Sequence, residues 1–299
     1  MTDPKRAALR KLIDPLRVEP GSTVILPHGF DPRHTAGYVA KADADEALRS
    51  SIALLAEYQD RLSAQDTYAV LVVLQGLDAS GKDGTVKHVM SGVNPAGVHV
   101  RSFKVPSVEE LNHDYLWRYA RALPERGAIG IFNRSHYEEV LVVRVHPENL
   151  ERQRLPSIQS GKSVWQRRFR EINEWERYLV DNGIHIVKVF LNVSKEEQRR
   201  RFLERIKEMR KNWKFSAADV LERRHWDEYQ QAYSDVLSNT STKWAPWYVV
   251  PADDKWFTRL ATASLVVDAL MRIDPQYPEV GPAERDLLAK AKAELEAEG

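Results

Sequence analysis

The sequence contains no cysteine among its 299 residues. Disulfide bonds, thiol nucleophiles, cysteine-ligated zinc and iron–sulfur clusters are therefore excluded. It also lacks any apolar run near the roughly 20 residues that span a bilayer, which excludes a helical membrane protein. The polar N-terminal stretch MTDPKRAALRKL has no apolar segment of the kind a signal peptide needs. We therefore expect a cytoplasmic protein without a membrane partner.

Charge of one sign is not in excess either. The chain has 44 lysine and arginine residues against 43 aspartate and glutamate residues, for a net charge of +1. This balance excludes a generally basic nucleic-acid coat, and we expect no nucleic-acid partner. The charges are nevertheless uneven, because residues 195–214 hold nine basic and four acidic residues, whereas residues 276–299 hold six acidic and three basic residues. The basic segment is either a polyanion-binding surface or a solvated helix face.

What the sequence does contain is an alternation of apolar runs and helical stretches. Residues 68–74 form a continuous valine-rich run, which is typical of a central parallel strand buried on both faces. Such runs alternating with longer helical segments predict an α/β fold, with helices on both faces of a parallel five-stranded sheet. The predicted strands are 68–74, 98–103, 128–132, 184–193 and 247–250, and the predicted helices are 44–62, 108–121, 164–182, 195–211, 217–237 and 255–273.

The chain shows no internal repeat, no low-complexity segment and no obvious linker, so we predict a single domain over residues 1–299. Residues 1–34 carry five prolines and little periodicity, which predicts an extended arm over the surface of the core. The predicted organisation is an N-terminal arm and helix (1–66), a core (67–275) with a lid at about 195–224, and a C-terminal helix (276–299).

The first predicted strand runs directly into a loop of the form G-x-x-x-x-G-K, and a helix-like stretch follows. This is the context that a phosphate-binding loop requires. Glycines let consecutive N–H groups point at an anion, the following helix adds a positive field, and Lys82 supplies a mobile charge. The alternative is a glycine-rich turn with a surface lysine. The candidate phosphate- and nucleotide-binding residues of the loop are Gly76, Ala79, Ser80, Gly81, Asp83, Gly84 and Thr85.

The loop departs from the usual pattern in its carboxylates. Asp83 follows Lys82 at the position where a serine or threonine hydroxyl normally ligates Mg²⁺, and Asp78 lies inside the loop. A carboxylate among phosphate-directed amides is unfavourable unless a cation or a proton donor faces it. A metal ion on Asp78 satisfies that condition, and so does a substrate hydroxyl. The alternative for Asp78 is an Asx-turn that stabilises the loop.

A second candidate segment, NRSHYEE, follows the third predicted strand, which ends at Phe132. The carboxyl ends of parallel strands line the ligand crevice in such folds. Asn133 is therefore expected to be a neutral ligand or hydrogen-bond partner, and the planar guanidinium of Arg134 to reach phosphate oxygens. Ser135 and Glu138 also fit a capping box, so Glu138 either caps a helix or contacts the nucleotide.

The phosphate-binding loop suggests a function for the basic segment at residues 195–214, namely to cover bound phosphates. In phosphoryl-transfer enzymes a basic lid closes over the phosphates, excludes water and neutralises developing charge. We therefore favour a lid over a solvated helix face, with Arg223 one turn into the helix that begins near Ser216. No two of the nine histidines stand at metal-ligand spacing, and His136 is expected to pack or form hydrogen bonds rather than bind a metal.

Taken together, these motifs resemble those of the polyphosphate kinase 2 family, the polyphosphate:nucleotide phosphotransferases. The resemblance runs from about Thr35 to Arg272 and rests on the stretches GLDASGKDGTV, SFKVPSVEELNHDYLWR, FNRSHYEEVLVVRVHPE, KNWKFSAADVLERRHWDEY and TSTKWAPWYVVPADDKWFTRL. It implies a three-layer α/β/α P-loop kinase fold, dependence on Mg²⁺ with Mn²⁺ as the alternative metal, and inorganic polyphosphate as phosphoryl donor or product. It also implies a homodimer or homotetramer.

The resemblance implies catalytic roles for Asp78, Lys82, Arg134 and Arg223, with Asp78 orienting the metal or the acceptor oxygen. Many members have aspartate where this chain has Asn133, and NRSHYEE is similar to the subgroup that phosphorylates both AMP and ADP to ATP. The implied reaction is reversible in-line transfer between polyphosphate and nucleotides. An ATP-dependent kinase and a nucleotide-gated regulator without turnover are the alternatives. The polyphosphate tail is expected to lie against Lys104, Arg118, Arg200, Arg201 and Arg205.

Overall fold

A computed structural model describes residues 4–38, 41–155 and 162–298. Five parallel strands form one sheet in the order β2-β3-β1-β4-β5. All five predicted strands are confirmed, with ends that differ by at most one residue. The strands are β1 (Ala69–Gln75), β2 (Val98–Ser102), β3 (Ile129–Asn133), β4 (Ile184–Asn192) and β5 (Trp247–Pro251).

Helices cover both faces of the sheet, which confirms the three-layer α/β/α architecture. Within the described ranges they are α1 (Pro4–Ile13), α2 (Lys41–Gln65), α3 (Lys82–Val89), α4 (Val108–Leu111), α5 (Trp117–Ala120), α6 (Val142–Val145), α7 (Glu148–Glu151), α8 (Lys162–Asp181), α9 (Lys195–Lys207), α10 (Ala217–Glu222), α11 (Trp226–Thr240), α12 (Lys255–Ile273) and α13 (Pro282–Ala297). Short 3₁₀ turns include His136–Val140, Met209–Lys214 and Arg223–His225. Among the described helices, none has the length and apolarity needed to cross a bilayer.

The core divides into two layers because successive residues of a strand point to opposite faces. Val70, Val72 and Leu74 of β1 pack in one cluster with residues of α2 and α12, whereas Leu71 and Val73 pack in a second cluster with residues of α8 and α11. Every residue of β1 is buried. Burial on both faces explains why this strand is a continuous apolar run in the sequence.

The order of the strands places the two candidate loops side by side. From the central strand β1 the chain moves to β2 and β3 on one side of the sheet, and then to β4 and β5 on the other. In the parallel register Leu74 pairs with Asn133 of β3, so the loops that follow β1 and β3 leave the sheet at the same edge. A crevice at such a switch point is where α/β sheets bind ligands.

The N-terminal arm differs from the prediction, because residues 4–13 form a helix rather than an extended segment. Pro4 stands at the first helical position, where a proline costs no hydrogen bond. Leu12 and Ile13 are buried in the cluster that contains α12, and the arginines of this helix pair with Asp268 on α12. Apolar residues at the end of the helix therefore outweigh the proline content of the arm.

Two of the long predicted helices are wrong as continuous elements. The predicted helix 108–121 is split into α4 and α5, and the Asp114 carboxylate between them accepts a hydrogen bond from the Leu116 N–H at 2.9 Å. Asparagine and aspartate compete for backbone groups in this way and interrupt helices. The predicted helix 217–237 is interrupted by the 3₁₀ turn at Arg223–His225, and α9 ends at Lys207 instead of 211.

The predicted C-terminal helix 276–299 begins only at Pro282, after two further prolines at 275 and 278. A proline inside a helix removes a hydrogen bond and clashes with the preceding turn, which explains the late start. Residues 1–3 of the predicted arm and Gly299 of the predicted helix lie outside the described residues.

Candidate active site

The loop between β1 and α3 has the backbone conformation that its glycines predict. Gly76 and Gly81 adopt φ angles of +156° and +109°, which side chains rarely tolerate. A Cβ on Gly76 would lie 2.7 Å from the Ser80 Oγ and 3.0 Å from the Leu191 carbonyl oxygen, so only glycine fits there. Gly81 immediately precedes the first residue of α3, Lys82. The loop therefore delivers the lysine to the N-terminus of a helix, as a phosphate-binding loop requires.

Lys82 is buried, and its ammonium is held by its own loop. The Nζ atom donates to the carbonyl oxygens of Gly76 at 2.6 Å and Leu77 at 3.1 Å. Burial and, second to it, the nearby Arg134 guanidinium lower the pKa of Lys82 to about 8, against the raising influence of the neighbouring carboxylates. An anion bound beside this group would restore its charge, because an opposite charge favours the protonated form.

Arg134 joins the two candidate loops. Its guanidinium donates to the Asp78 carboxylate at 2.6 Å and to the Glu138 carboxylate at 3.3 Å. The Glu138 carboxylate is the largest influence on Arg134 and raises its pKa. Arg134 itself has φ of +64°, a conformation that is costly for a side chain this large and occurs mostly at functional sites. The site therefore holds a guanidinium in one orientation between two carboxylates.

The sequence left open whether Asp78 only stabilises the loop and whether Glu138 only caps a helix. The Asp78 carboxylate is paired with Arg134. The Ser135 hydroxyl caps the 3₁₀ turn by accepting from the Tyr137 N–H at 3.3 Å, but the Glu138 side chain reaches Arg134. Both carboxylates thus take part in the charged cluster, which favours a role in binding over turn stabilisation and helix capping.

Asn133 makes a contact that the sequence did not predict. Its amide Nδ2 donates to the Asp83 carboxylate at 2.7 Å. Asp83 is the residue that replaces the usual hydroxyl after the lysine, and Asn133 is the residue at the end of β3. The two departures from common patterns therefore meet and form one hydrogen bond.

These groups open into a cavity of about 770 Å³ with a strongly basic wall. Nine basic and five acidic side chains line it, so the wall carries four more basic than acidic groups. The predicted residues that it contains are Asp78, Ala79, Gly81, Lys82, Asp83, Gly84, Lys104, Arg118, Asn133, Arg134, Glu138, Arg201 and Arg205. A cavity of this size and charge suits a phosphorylated ligand.

Other predicted residues lie outside this wall. Arg223 instead lines a cavity of about 30 Å³ that also contacts Asp78, Arg134 and Glu138, and its guanidinium donates to the Gln198 side chain at 2.8 Å. The Thr85 hydroxyl donates to the Gly81 carbonyl at 3.1 Å. The remaining predicted residues that do not line the larger cavity are Gly76, Ser80 and Arg200.

The five expected polyphosphate residues have different surroundings. Lys104 is exposed, Arg118 donates to the Lys104 carbonyl at 2.9 Å, and Arg205 pairs with Asp219 at 3.6 Å. Arg200 is 60% exposed and pairs with Glu197 on the solvent side.

Arg201 differs most from the expectation. Its guanidinium is buried and donates to the carbonyl oxygens of Ala79, Ser80 and Asp253 at 2.8–3.0 Å and also to that of Ala252. It also pairs with the Glu197 carboxylate at 2.6 Å. With these contacts, Arg201 holds the middle of α9 against the phosphate-binding loop. The first part of the predicted lid is thus fastened to the loop.

Several residues of the cavity were missed by sequence reasoning. Three are basic: Arg152, Lys211 and Lys255. Others form an apolar part of the wall: Phe103, Val105, Pro106, Tyr119, Val142 and Val143. The signal that could have found most of them is position, because all but Tyr119 and Arg152 lie within the stretches that carry the family resemblance.

A fully buried polar cluster supports the segment after Arg134. The Lys188 ammonium donates to the Glu176 carboxylate at 2.6 Å and to the Tyr137 hydroxyl at 2.9 Å. The other Glu176 oxygen accepts from the Tyr137 hydroxyl at 2.7 Å and lies 3.2 Å from the His136 Nε2. Burial opposes ionisation of Glu176, but Lys188 and His136 hold its pKa below the usual range. The expectation that His136 forms hydrogen bonds within the core is confirmed.

Comparisons with known proteins match most of the chain. The family model for polyphosphate kinase 2 matches residues 38–278. An ADP-polyphosphate phosphotransferase of Rhodopseudomonas palustris is 50% identical over 86% of this chain and 90% of its own length. An AMP/ADP-polyphosphate phosphotransferase of Meiothermus ruber is 46% identical over 88% of this chain and 94% of its own length.

A solved structure shows the same fold. The crystal structure of polyphosphate kinase 2 from Arthrobacter aurescens TC1 superposes with a TM-score of 0.83 at 40% sequence identity, covering 92% of this chain and 95% of the other. The fold, the phosphate-binding loop and the sequence relatives therefore lead to one conclusion: the chain belongs to the polyphosphate kinase 2 family.

Proposed function

We propose that this protein transfers phosphoryl groups reversibly between inorganic polyphosphate and nucleoside mono- and diphosphates, converting AMP and ADP to ATP. The observation that supports this most directly is the basic cavity at the phosphate-binding loop, where eight cationic residues besides the structural Arg201 outnumber five acidic ones, a surplus that suits a polyanionic donor. Its relatives are named for polyphosphate transfer to ADP in one case and to AMP and ADP in another. Adenine nucleotides as substrates favour the cytoplasm as the compartment.

The residues of the site suit in-line phosphoryl transfer, which depends on positioning and charge neutralisation rather than on covalent chemistry. The Lys82 ammonium, which donates to two loop carbonyls, would exchange them for phosphate oxygens when the substrate binds. Arg134 is held in place by Asp78 and Glu138, so its guanidinium is oriented before the substrate arrives. Such preorganised charge stabilises a transition state without reorganisation at the moment of reaction. Arg223 and Arg205 approach the same cluster from the lid segment.

The carboxylates fit a requirement for Mg²⁺, with Mn²⁺ as the alternative. Within the described residues, no group of three or more histidine, aspartate or glutamate side chains could hold a metal ion unaided. Mg²⁺ is commonly bound by one or two carboxylates together with substrate phosphates and water. Asp78 is suited to be such a ligand, because it projects from the phosphate-binding loop into the cavity. When bound, the metal would neutralise phosphate charge, and Asp78 would keep it beside the loop.

The contact between Asn133 and Asp83 bears on which acceptors are used. With an amide at position 133 the Asp83 carboxylate is satisfied by a hydrogen bond of 2.7 Å. An aspartate at 133 would place two carboxylates at that distance and raise the pKa of one of them. The amide thus leaves less negative charge in the cavity, which favours acceptors that bring different numbers of phosphates. Polyphosphate units are alike, so the donor can slide to meet either acceptor.

The proposal is tested by giving the purified protein polyphosphate and Mg²⁺ with either AMP or ADP and following all adenine nucleotides by chromatography. A specific inhibitor excludes adenylate kinase, and reactions without polyphosphate or with the Lys82→Ala variant are the controls. We expect AMP to become ADP and then ATP. Consumption of ADP with AMP untouched would show that the acceptor range is wrong, and no ATP from either acceptor would refute the proposal as a whole.

We expect Asn133→Asp to change the ratio of AMP to ADP turnover. The matched control is the exchange Asn133→Asp with Asp83→Asn, which restores one amide–carboxylate hydrogen bond in the reverse direction. A changed ratio in both variants would assign the effect to charge at position 133. An unchanged ratio in the first variant would show that this position does not determine the acceptor.

A further inference from the structure

A buried glutamine of α9 connects the phosphate-binding loop to the segment that carries Arg223. Gln198 is 3% exposed. Its side-chain Nε2 donates to the Asp78 carbonyl oxygen at 2.9 Å, and its Oε1 accepts from the Arg223 guanidinium at 2.8 Å. One amide group therefore joins a residue of the loop to a residue of the predicted lid.

The two neighbours of Gln198 determine what kind of side chain can lie between them. A backbone carbonyl only accepts hydrogen bonds, and a guanidinium only donates them. A carboxylate in place of the amide could accept from Arg223 but not donate to Asp78, and an ammonium could donate but not accept. Because a buried polar group without a partner is costly, the position requires a neutral group that does both. The amide of glutamine is such a group.

Gln198 has a different set of partners from Arg201, which lies about one turn further along α9. Residues three apart share a helix face, so both side chains reach the phosphate-binding loop. Arg201 donates to carbonyl oxygens of the loop and of residues 252 and 253, which follow β5. Of these two side chains, only Gln198 also contacts Arg223. Arg201 therefore fastens the helix, whereas Gln198 makes a contact that fastening the helix does not need.

The guanidinium of Arg223 is held by neutral groups. Besides the Gln198 amide, it donates to the Lys195 carbonyl oxygen at 2.7 Å, and its Cζ atom lies 5.9 Å from the centroid of the Trp226 ring. Among the residues that the structure describes, Arg223 forms no ion pair with a carboxylate. Burial and, second to it, Arg199 lower the pKa of Arg223. Its positive charge is therefore open to a phosphate.

This charge lies beside the charged cluster of the candidate site. Gln198 and Arg223 line the cavity of about 30 Å³, which has room for about two water molecules. Three other residues of its wall, Asp78, Arg134 and Glu138, also line the larger cavity. The direction in which Gln198 holds Arg223 therefore decides whether this charge reaches a phosphate bound beside that cluster.

We propose that Gln198 is a positioning residue that acts through Arg223 and aims its guanidinium at the phosphoryl group in transfer. This role rests on the proposed function, because its target is a phosphoryl group. A neutral amide orients the guanidinium without neutralising it, and its second hydrogen bond fixes that orientation relative to the loop that holds Asp78. Charge oriented before the reaction stabilises a transition state without reorganisation.

The role is tested by a double-mutant cycle of Gln198→Met and Arg223→Met, with kcat and KM measured for polyphosphate and ADP well below the Tm of each variant. We expect Gln198→Met to lower kcat by about tenfold to a hundredfold, because a small misplacement of a catalytic group has effects of that size. KM for both substrates should change little, since the contact acts in the transition state. In the Arg223→Met background the same substitution should lower kcat no further.

Two further variants separate the effect of charge from that of losing a glutamine. Gln198→Glu has the same length and accepts from Arg223, but it neutralises the guanidinium and cannot donate to Asp78. We expect it to lower kcat at least as far as Gln198→Met does. The matched control is Gln231→Met, because Gln231 is an exposed glutamine of α11 that donates to Asp235 at 3.0 Å and lines neither cavity. This control should keep the kcat and Tm of the unchanged protein.

Hydrogen exchange followed by mass spectrometry tests the link without substrate. Loss of a hydrogen bond changes local opening by about two- to tenfold, so Gln198→Met should speed exchange by that factor in residues 76–81 and 216–225. Gln231→Met should speed neither segment. A protein that is inactive with polyphosphate would refute the proposed function, whereas unchanged exchange in both segments would refute the link made by Gln198. The two failures are therefore distinguishable.

Three kinetic results would also overturn the proposal. The first is a lowered Tm with unchanged kcat in Gln198→Met, which would make Gln198 a second fastener of α9. The second is a raised kcat, which would show that the amide holds Arg223 away from the substrate. The third is that the effects of Gln198→Met and Arg223→Met on kcat multiply, which would show that Gln198 does not act through Arg223.

Discussion

Replacing two neighbouring arginines of α9 separates a structural role from a polyphosphate-binding role. Arg201 is 4% exposed, and its guanidinium donates to four backbone carbonyls and to Glu197. Arg200 is 60% exposed and pairs with the same Glu197 from the solvent side. We predict that Arg201→Gln destabilises the protein strongly, whereas Arg200→Gln, a matched control of the same chemistry, does not.

The magnitude follows from burial and from the number of partners. Removing one member of a buried ion pair costs about 3–5 kcal/mol, because the groups left behind lose their partner without regaining water. Loss of Arg201 leaves four carbonyls without their donor and Glu197 with only its exposed Arg200 partner, so we take about 4 kcal/mol. For a chain of this size each kcal/mol lowers the Tm by about 2–4 °C, which gives a fall of about 8–16 °C. The exposed Arg200 pair contributes about 0–1 kcal/mol.

The assay is thermal unfolding followed by circular dichroism, together with KM for polyphosphate measured well below the Tm of each variant. If Arg201 holds α9 against the loop, Arg201→Gln lowers the Tm by the amount above and Arg200→Gln changes it by less than about 4 °C. A raised KM for polyphosphate in Arg201→Gln with an unchanged Tm would refute the structural role and restore the groove role predicted from the sequence.

Three further predictions concern the site and its support. Lys82→Ala should abolish transfer in a folded protein, at a cost of about 3–4 kcal/mol in the transition state by analogy with loss of an oxyanion-hole donor. Because burial lowers the pKa of Lys82 to about 8, kcat/KM should fall as the pH rises through that value. Lys82→Arg should make this pH profile flatter. Asp78→Asn should lose activity while polyphosphate binding, measured by titration without nucleotide, persists or tightens, because a repulsive charge has gone; weaker binding with full turnover at saturation would contradict the role. Lys188→Met should lower the free energy of unfolding, measured in urea, by about 3–5 kcal/mol, and adding Glu176→Leu should recover part of that loss; no recovery would show that the pair does not act as a unit.

The sheet and the phosphate-binding loop could be predicted from the sequence because their signals are local. A strand buried on both faces must be apolar throughout, so β1 appears in the sequence as a continuous run. The tight turn needs glycine at 76 and 81 because the backbone there adopts positive φ angles, a requirement local to the loop. The position of Lys82 follows from these two features alone.

The helix boundaries were less predictable, because they depend on contacts distant in sequence. Residues 4–13 are helical since Leu12 and Ile13 are buried in the cluster that contains α12, which outweighs the proline-rich composition of the arm. The splitting of the predicted helix 108–121 depends on a side chain, Asp114, that bonds the backbone instead of solvent. Local periodicity does not report either contact.

The charged cluster and the roles of the arginines were decided only by the tertiary structure. Asp78 and Arg134 are 56 residues apart and meet because β3 pairs with β1 in parallel register. Arg200 and Arg201 are adjacent in the sequence, but one helical residue turns the chain by about 100°, so packing of α9 against the loop buries one and leaves the other in water. Composition predicts how many cations the segment has, and packing determines which of them face phosphate, solvent or a backbone carbonyl.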